Sequence, residues 1–67
     1  MTTSIRLKEW RLRKALSQRE LANLAGVTQS TVALIEVGRR SPRPTTIRKL
    51  ARALRLDPAK LFRIPPT

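Results

Sequence analysis

The sequence predicts an all-α domain of five short helices. Three observations support this prediction: apolar residues recur at spacings of three and four, capping residues and glycines separate the apolar stretches, and no segment alternates like a strand. The chain has 67 residues, of which 40% are hydrophobic, so it has enough apolar material for one small core. We expect a single domain over residues 1–67, with its core at 5–62 and a C-terminal tail at 63–67.

The composition indicates that the protein binds a polyanion. The chain has fifteen Lys or Arg and four Asp or Glu, which gives a formal net charge of +11, and such a module usually binds nucleic acid. Because Cys and His are absent and the four acids lie far apart in sequence, we expect no metal, no cofactor and no enzymatic activity. No apolar run approaches the roughly 20 residues of a membrane span, and the first residues do not resemble a secretion signal. We therefore expect a cytoplasmic protein associated with the nucleoid.

The first two helices are predicted from an apolar stripe and from capping signals. The first spans residues 5–15, where the apolar stripe includes Trp10, a residue we expect in the core rather than on a base. The second begins after Ser17, because Ser17 and Glu20 have the spacing of a capping box. It ends at Gly26, since glycine adopts the left-handed turn after a helix most easily.

The spacing from Gln18 to Ile35 is typical of a helix-turn-helix. A third helix is predicted over residues 29–37, between the N-cap Thr28 and a second glycine, and Ala22 is small where the two helices must cross. The internal seam of the motif consists of Leu21, Val27, Val32 and Ile35. The same spacing also fits a plain helical hairpin, so it is the charge of +11 and the basic loop after the third helix that favour DNA binding.

Two further helices complete the predicted domain. The fourth begins at Thr45 or Thr46, after a stiff basic loop over residues 38–44 that contains two prolines. The fifth begins after Asp57, because Asp is a good N-cap and Pro58 suits the first helical position. The residues expected to face the core from the fourth helix are Ile47, Leu50, Ala51 and Leu54, and the fifth helix carries Leu61 and Phe62.

From Leu7 to Phe62 the sequence resembles the lambda-repressor-like helix-turn-helix family, whose members are also described as Xre-type or Cro-like. The segments that carry the resemblance are 16–18 with 20–22, 26–28, 35–39, Pro42 and 50–54. The resemblance implies a five-helix DNA-binding domain in which helices 2 and 3 form the helix-turn-helix. It also implies a transcriptional regulator, a repressor, that binds double-stranded DNA sequence-specifically. In this mode of binding the helix 29–37 enters the major groove.

The recognition helix presents three candidate base-contact residues. With the apolar seam facing inward, Gln29, Ser30 and Leu34 face outward, and the resemblance implies that these positions reach base edges. Gln29 can bond bidentately to adenine, although a solvated polar residue at a helix start would look the same. Leu34 departs from the family, which usually has a long polar residue there, so it contacts either a thymine methyl group or another protein.

The resemblance implies DNA-backbone contacts from the helix starts and from the basic loop. The candidate residues are Gln18, Thr28, Thr31, Arg39, Arg40 and Arg43. Phosphate contacts of this kind position a domain and supply most of its affinity. Alternatives remain open, since Gln18 could serve only helix initiation, Thr31 only the backbone of its own helix, and the arginines only solvation of the loop.

Two residues are assigned structural roles, and one helix end is unusual. The resemblance implies a partly buried ion pair between Arg11 and Glu36, so neither is counted among the DNA contacts. Arg55 stands at a helix end where the family often has glycine, so a left-handed cap there would be mildly strained.

The partners are less determined than the fold. A homodimer through the C-terminal helix 58–64, bound to a pseudo-palindromic operator, is one interpretation; the other is that the apolar residues of this segment close the core of a monomer. Those residues are Leu61, Phe62 and Ile64. Two other functions stay open: an antitoxin or controller whose main partner is a protein held by Leu24 and Leu34 or by the tail, and an interaction adaptor with non-specific DNA affinity.

Overall fold

The computed structural model describes residues 5–66, and residues 1–4 and Thr67, the ends of the predicted domain, lie outside this range. The described residues form α1 (Leu7–Arg13), α2 (Gln18–Ala25), α3 (Gln29–Glu36), α4 (Pro44–Leu54) and a C-terminal 3₁₀ helix (Pro58–Phe62). This part of the chain contains no strand, and none of its helices is long and apolar enough to cross a membrane. The all-α prediction is confirmed.

All five helices contribute to one hydrophobic core. The largest fully buried side chains are those of Leu7, Leu21, Val32, Leu50, Leu54 and Leu61. Trp10 is buried beside them, and its indole N–H donates to the carbonyl oxygens of Lys60 at 3.1 Å and Arg63 at 2.8 Å. Trp10 therefore lies in the core, as predicted, and in addition attaches α1 to the C-terminal segment.

The turn between α2 and α3 has the predicted caps. Ser17 Oγ accepts the Glu20 N–H at 3.0 Å, and the Glu20 carboxylate accepts the Ser17 N–H at 2.8 Å, which completes the capping box. Gly26 closes α2 with a left-handed φ of 72°, and Thr28 Oγ1 caps α3 by accepting the Thr31 N–H at 3.2 Å. The sharp turn follows from the glycine, because a side chain at this φ would be strained.

Tertiary contacts shorten α1 relative to the predicted span of 5–15. At its start, the Arg6 N–H donates to the Leu61 carbonyl oxygen at 2.6 Å, so the chain there pairs with the C-terminal segment rather than with a helical turn. At its end, Ala15 has a φ of 57°, which takes the chain out of the helix and towards α2. Ile5 still contributes to the core although it precedes the helix.

The boundaries of α3 and α4 differ slightly from the prediction. Val37 is the C-cap of α3 rather than part of it. The fourth helix begins at Pro44, one or two residues earlier than expected, because proline is well suited to the first turn of a helix, where no N–H is needed. Arg55 ends α4 in the left-handed conformation, with a φ of 57°, as expected for this position.

The predicted fifth helix is a 3₁₀ helix rather than an α-helix. Asp57 caps it as expected, since its carboxylate accepts the Ala59 N–H at 3.0 Å. Leu61 is fully buried, whereas 42% of Phe62 and 64% of Ile64 are exposed. The interpretation that all three apolar residues close the core is therefore wrong, because Phe62 and Ile64 are exposed. Leu61 in turn cannot belong to a dimer surface, because its side chain is fully buried.

The ion pair between Arg11 and Glu36 is present and buried. Arg11 Nε donates to Glu36 Oε2 at 2.6 Å and Arg11 Nη2 to Glu36 Oε1 at 3.1 Å, while Arg11 Nη1 donates to the Leu16 carbonyl oxygen at 2.8 Å. Gln18 Nε2 donates to the same carboxylate at 3.1 Å. The hydrogen bond with Glu36 raises the pKa of the Arg11 guanidinium above its ordinary value, against the opposing effect of burial. The pair therefore joins α1, the start of α2 and the end of α3.

We expect Glu36→Gln to destabilise the domain by about 3 kcal/mol, because it leaves the Arg11 charge buried without a counter-charge. Urea unfolding followed by circular dichroism measures the change. The matched control is Glu9→Gln, which removes the exposed Arg6–Glu9 pair at 3.5 Å and should cost less than about 1 kcal/mol. Equal midpoints for the two variants would contradict a stabilising role of the buried pair.

The free energy of unfolding should decrease at acidic pH, because the Glu20 carboxylate becomes protonated. Its bond with the Ser17 N–H lowers the pKa of the Glu20 carboxyl below its ordinary value of 4.5. The unfolded chain therefore binds a proton at higher pH than the folded one, so the contribution is complete above pH 4.5 and is lost as the pH falls through the folded pKa. In thermal melts, the difference between wild type and Glu20→Gln should shrink as the pH falls from 7 to 3; a difference that does not change with pH would contradict this.

Candidate nucleic-acid interface

The outer face of α3 carries the three candidate base-contact residues. Gln29 and Ser30 are exposed at the start of the helix, and 38% of Leu34 is exposed one turn further on. Within residues 5–66, the side chains and the backbone N–H groups of Gln29 and Ser30 have no hydrogen-bond partner. Polar groups at a helix start with no partner inside the protein can bind an external acceptor or donor.

The position of this face is determined by contacts on the buried side of α3 and at its C-terminal end. Its start is capped by Thr28, and its last residue, Glu36, is bonded to Arg11 and Gln18. Between the ends, Val32 and Ile35 are buried against the core. The exposed side chains therefore project from a helix whose position is determined by buried contacts on the opposite side.

The loop from α3 to α4 presents the three predicted arginines to solvent. Gly38 turns the chain with a left-handed φ of 79°, and the Arg39 N–H donates back to the Leu34 carbonyl oxygen at 2.9 Å. Arg43 stands between two prolines with extended backbone and is the N-cap of α4. Arg39, Arg40 and Arg43 are all exposed, so each side chain can reach an external anion.

A groove between the start of α3 and this loop brings several predicted residues together. Its polar lining consists of Thr28, Thr31, Arg40, Arg43 and Thr46. Arg40 Nη1 donates to Thr31 Oγ1 at 3.2 Å across the groove. Thr46 is a lining residue that was not among the predicted contacts; its only signal in the sequence is its position near the start of a helix beside the basic loop.

Gln18 differs from its predicted role in one respect. Its side chain is half-buried, and the amide donates to Glu36 rather than pointing outward. The backbone N–H groups of Gln18 and Arg19 have no partner within the described residues, as is usual for the first turn of a helix. A phosphate contact at the start of α2 would therefore use these N–H groups, while the Gln18 side chain holds the helix in place.

This surface stays positively charged because the acidic residues have their partners elsewhere in the structure. Each is occupied elsewhere: Glu9 pairs with Arg6, Glu20 belongs to the capping box, Glu36 is bonded to Arg11, and Asp57 caps the 3₁₀ helix. The exposed basic residues from the loop through α4 are Arg39, Arg40, Arg43, Arg48, Lys49 and Arg52. Residues 5–66 contain no cluster of side chains suited to hold a metal ion.

Comparison with known proteins places this geometry in a family. A family model described as helix-turn-helix (HTH_3) matches residues 7–61. The transcriptional regulator PuuR of Escherichia coli is 38% identical over 60 residues, which cover 90% of this chain and 32% of PuuR. The chain therefore spans about a third of the length of this curated relative.

Solved structures agree with the family assignment. The restriction-modification controller protein C.AhdI from Aeromonas hydrophila superimposes with a TM-score of 0.82 at 45% identity, over 84% of this chain and 85% of that one. The DNA-binding domain of the P22 c2 repressor superimposes with a TM-score of 0.84 over 100% and 95% of the two chains; at 22% identity this likeness concerns the fold alone. The lambda-repressor-like architecture is thus confirmed, and the chain belongs to the helix-turn-helix family HTH_3.

Proposed function

We propose that this domain binds double-stranded DNA sequence-specifically with α3 in the major groove and that it acts as a transcriptional repressor. The observation that carries the proposal is the start of α3, where Gln29 and Ser30 are exposed, have no internal partner within the described residues, and project from a helix held from behind. In this orientation Gln29 bonds an adenine edge, Ser30 contacts an adjacent base, and Leu34 packs on a thymine methyl group. The domain has no catalytic part in this proposal.

The backbone contacts we propose surround this helix start. They come from Gln18, Thr28, Thr31, Arg39, Arg40 and Arg43. Support comes from the exposure of the three arginines, from the groove that Arg40 and Arg43 share with the threonines, and from the absence of acids among its lining residues. Such contacts provide affinity without sequence information, whereas the face of α3 provides the sequence preference.

A single recognition helix reads only part of an operator, so we propose a homodimer on a pseudo-palindromic site. Half-sites for two such helices lie about 10 base pairs apart, one turn of the duplex. The segment 58–64 supports this proposal because Phe62 and Ile64 are exposed apolar side chains near the end of the chain. A protein with this function would act in the cytoplasm, at the nucleoid.

A second candidate function is that of a controller whose main partner is another protein. It is favoured by the similarity to the controller protein C.AhdI and by the exposure of Leu24, at 62%, on α2. In-vitro selection from a random duplex library separates the two functions. A sequence-specific regulator enriches one motif, whereas a protein that serves mainly a protein partner enriches none.

We expect Gln29→Ala to weaken binding to the selected site about 5- to 150-fold, the range of a lost bidentate base contact of about 1–3 kcal/mol. Binding to random duplex at the same salt concentration should change little, because phosphate contacts remain. Fluorescence anisotropy with both duplexes measures the two effects, and Arg19→Ala, an exposed change in the first turn of α2, is a control without a base contact. An equal loss on both duplexes would exclude direct readout by Gln29.

The dimer is tested by sedimentation of the chain with and without a selected duplex. Wild type should occupy both half-sites of the duplex, whereas the double variant Phe62→Ser, Ile64→Ser should occupy them independently and with lower apparent affinity. Because both side chains are exposed, the variant should melt close to wild type. Occupancy by a single protomer at saturation would exclude the dimer.

A further inference from the structure

A chain of hydrogen bonds crosses the groove beside α3. Arg40 Nη1 donates to Thr31 Oγ1 at 3.2 Å, and Thr31 Oγ1 lies 2.8 Å from Thr28 Oγ1, which also accepts the Thr31 N–H. We propose that Thr31 is a positioning residue whose hydroxyl holds the Arg40 guanidinium at this groove to receive one backbone phosphate of DNA. This rests on the proposed DNA binding, and it replaces direct contact by Thr31 with an action through Arg40.

The hydrogen bond to Thr31 favours phosphate binding by Arg40, because Arg40 lies on an exposed loop and its side chain would otherwise be free to rotate. A long arginine side chain loses rotamer freedom when it binds a phosphate, and a bond that restricts it beforehand reduces that loss. The guanidinium has five N–H donors, so the bond from Nη1 to Thr31 leaves others for a phosphate. Thr31 itself is half-buried and belongs to α3, so it provides a fixed acceptor.

The surroundings of this hydrogen-bond chain suit a phosphate. Arg43 and Thr46 line the same groove, and no acid is among its lining residues. Glu36, the acid closest to the groove in sequence, is bonded to Arg11 and Gln18 instead. The groove also adjoins the start of α3, where the helix dipole favours negative charge.

The position of Arg40 also connects phosphate binding with the base contacts of α3. Thr28 and Thr31 flank Gln29 and Ser30 in sequence, so a phosphate bound at Arg40 lies next to the bases that α3 contacts. A DNA phosphate bound at Arg40 determines how deeply the start of α3 enters the major groove of the DNA. Positioning of Arg40 thereby sets the register of the base contacts.

Arg39 provides a matched control. It is adjacent to Arg40, equally basic and exposed, but its side chain has no hydrogen bond to any residue within 5–66. If simple loop charge explains binding, Arg39 and Arg40 should depend on Thr31 to the same extent. If Thr31 positions Arg40, only Arg40 should depend on it.

A double-mutant cycle on the full chain tests the proposal. The probe is a random-sequence duplex of about 20 base pairs, long enough for two half-sites, titrated by anisotropy at several salt concentrations. Arg40→Gln should reduce the slope of log affinity against log salt by about 0.9 for each bound protomer, because each protomer loses one phosphate contact. Thr31→Val should weaken binding about three- to fivefold in wild type and not at all in the Arg40→Gln background, whereas Thr31→Ser should bind like wild type.

The controls separate positioning from folding. Thr31→Val combined with Arg39→Gln should give the sum of the two single effects, and every variant is melted to measure its stability; Thr31→Ala replaces Thr31→Val if the latter does not fold. Equal loss from Thr31→Val with and without Arg40→Gln, or failure of Thr31→Ser to restore binding, would overturn the positioning role while leaving DNA binding intact. A wild-type chain that binds no duplex would overturn the proposed function and this role with it.

Discussion

The buried ion pair between Arg11 and Glu36 is the interaction on which the candidate binding surface depends. It lies where α1, the start of α2 and the end of α3 meet, and the Gln18 amide and the Leu16 carbonyl complete its hydrogen bonds. A buried charge is tolerated only when such partners replace water, and no buried side-chain polar atom within residues 5–66 lacks one. Because Glu36 bonds both Arg11 and Gln18, the pair joins the end of α3 to α1 and to the start of α2.

The small number of acids connects stability with function. Glu20 and Asp57 cap helices, Glu36 is bonded to Arg11, and Glu9 pairs with an arginine near the start of α1. None of them lines the groove between α3 and the loop before α4, where Arg40 and Arg43 lie. The chain therefore uses its negative charges to hold the fold and leaves positive charge on the side where we propose that DNA binds.

Local rules predicted the elements well where one residue and its near neighbours decide the outcome. The capping box at Ser17, the left-handed Gly26 and the cap at Thr28 all depend on bonds within a few residues, and each occurs as predicted. Errors arose where distant segments compete: the Arg6 N–H bonds the Leu61 carbonyl oxygen instead of extending α1, and only Leu61 of the last apolar residues enters the core, while Phe62 and Ile64 stay exposed. The ion pair was expected only through the family resemblance, since its partners are 25 residues apart.

The order of amino acids was enough to establish the all-α class, the helix-turn-helix and a positively charged surface, because helix periodicity, capping and net charge are local or additive properties. Only the tertiary structure determined which polar side chains form hydrogen bonds within the protein. Gln18 was expected to contact the DNA backbone, but its side chain bonds Glu36, and Thr31 accepts a bond from Arg40, nine residues away. These bonds follow from how the helices pack, and packing brings together donors and acceptors whose separation along the chain carries no periodic signal.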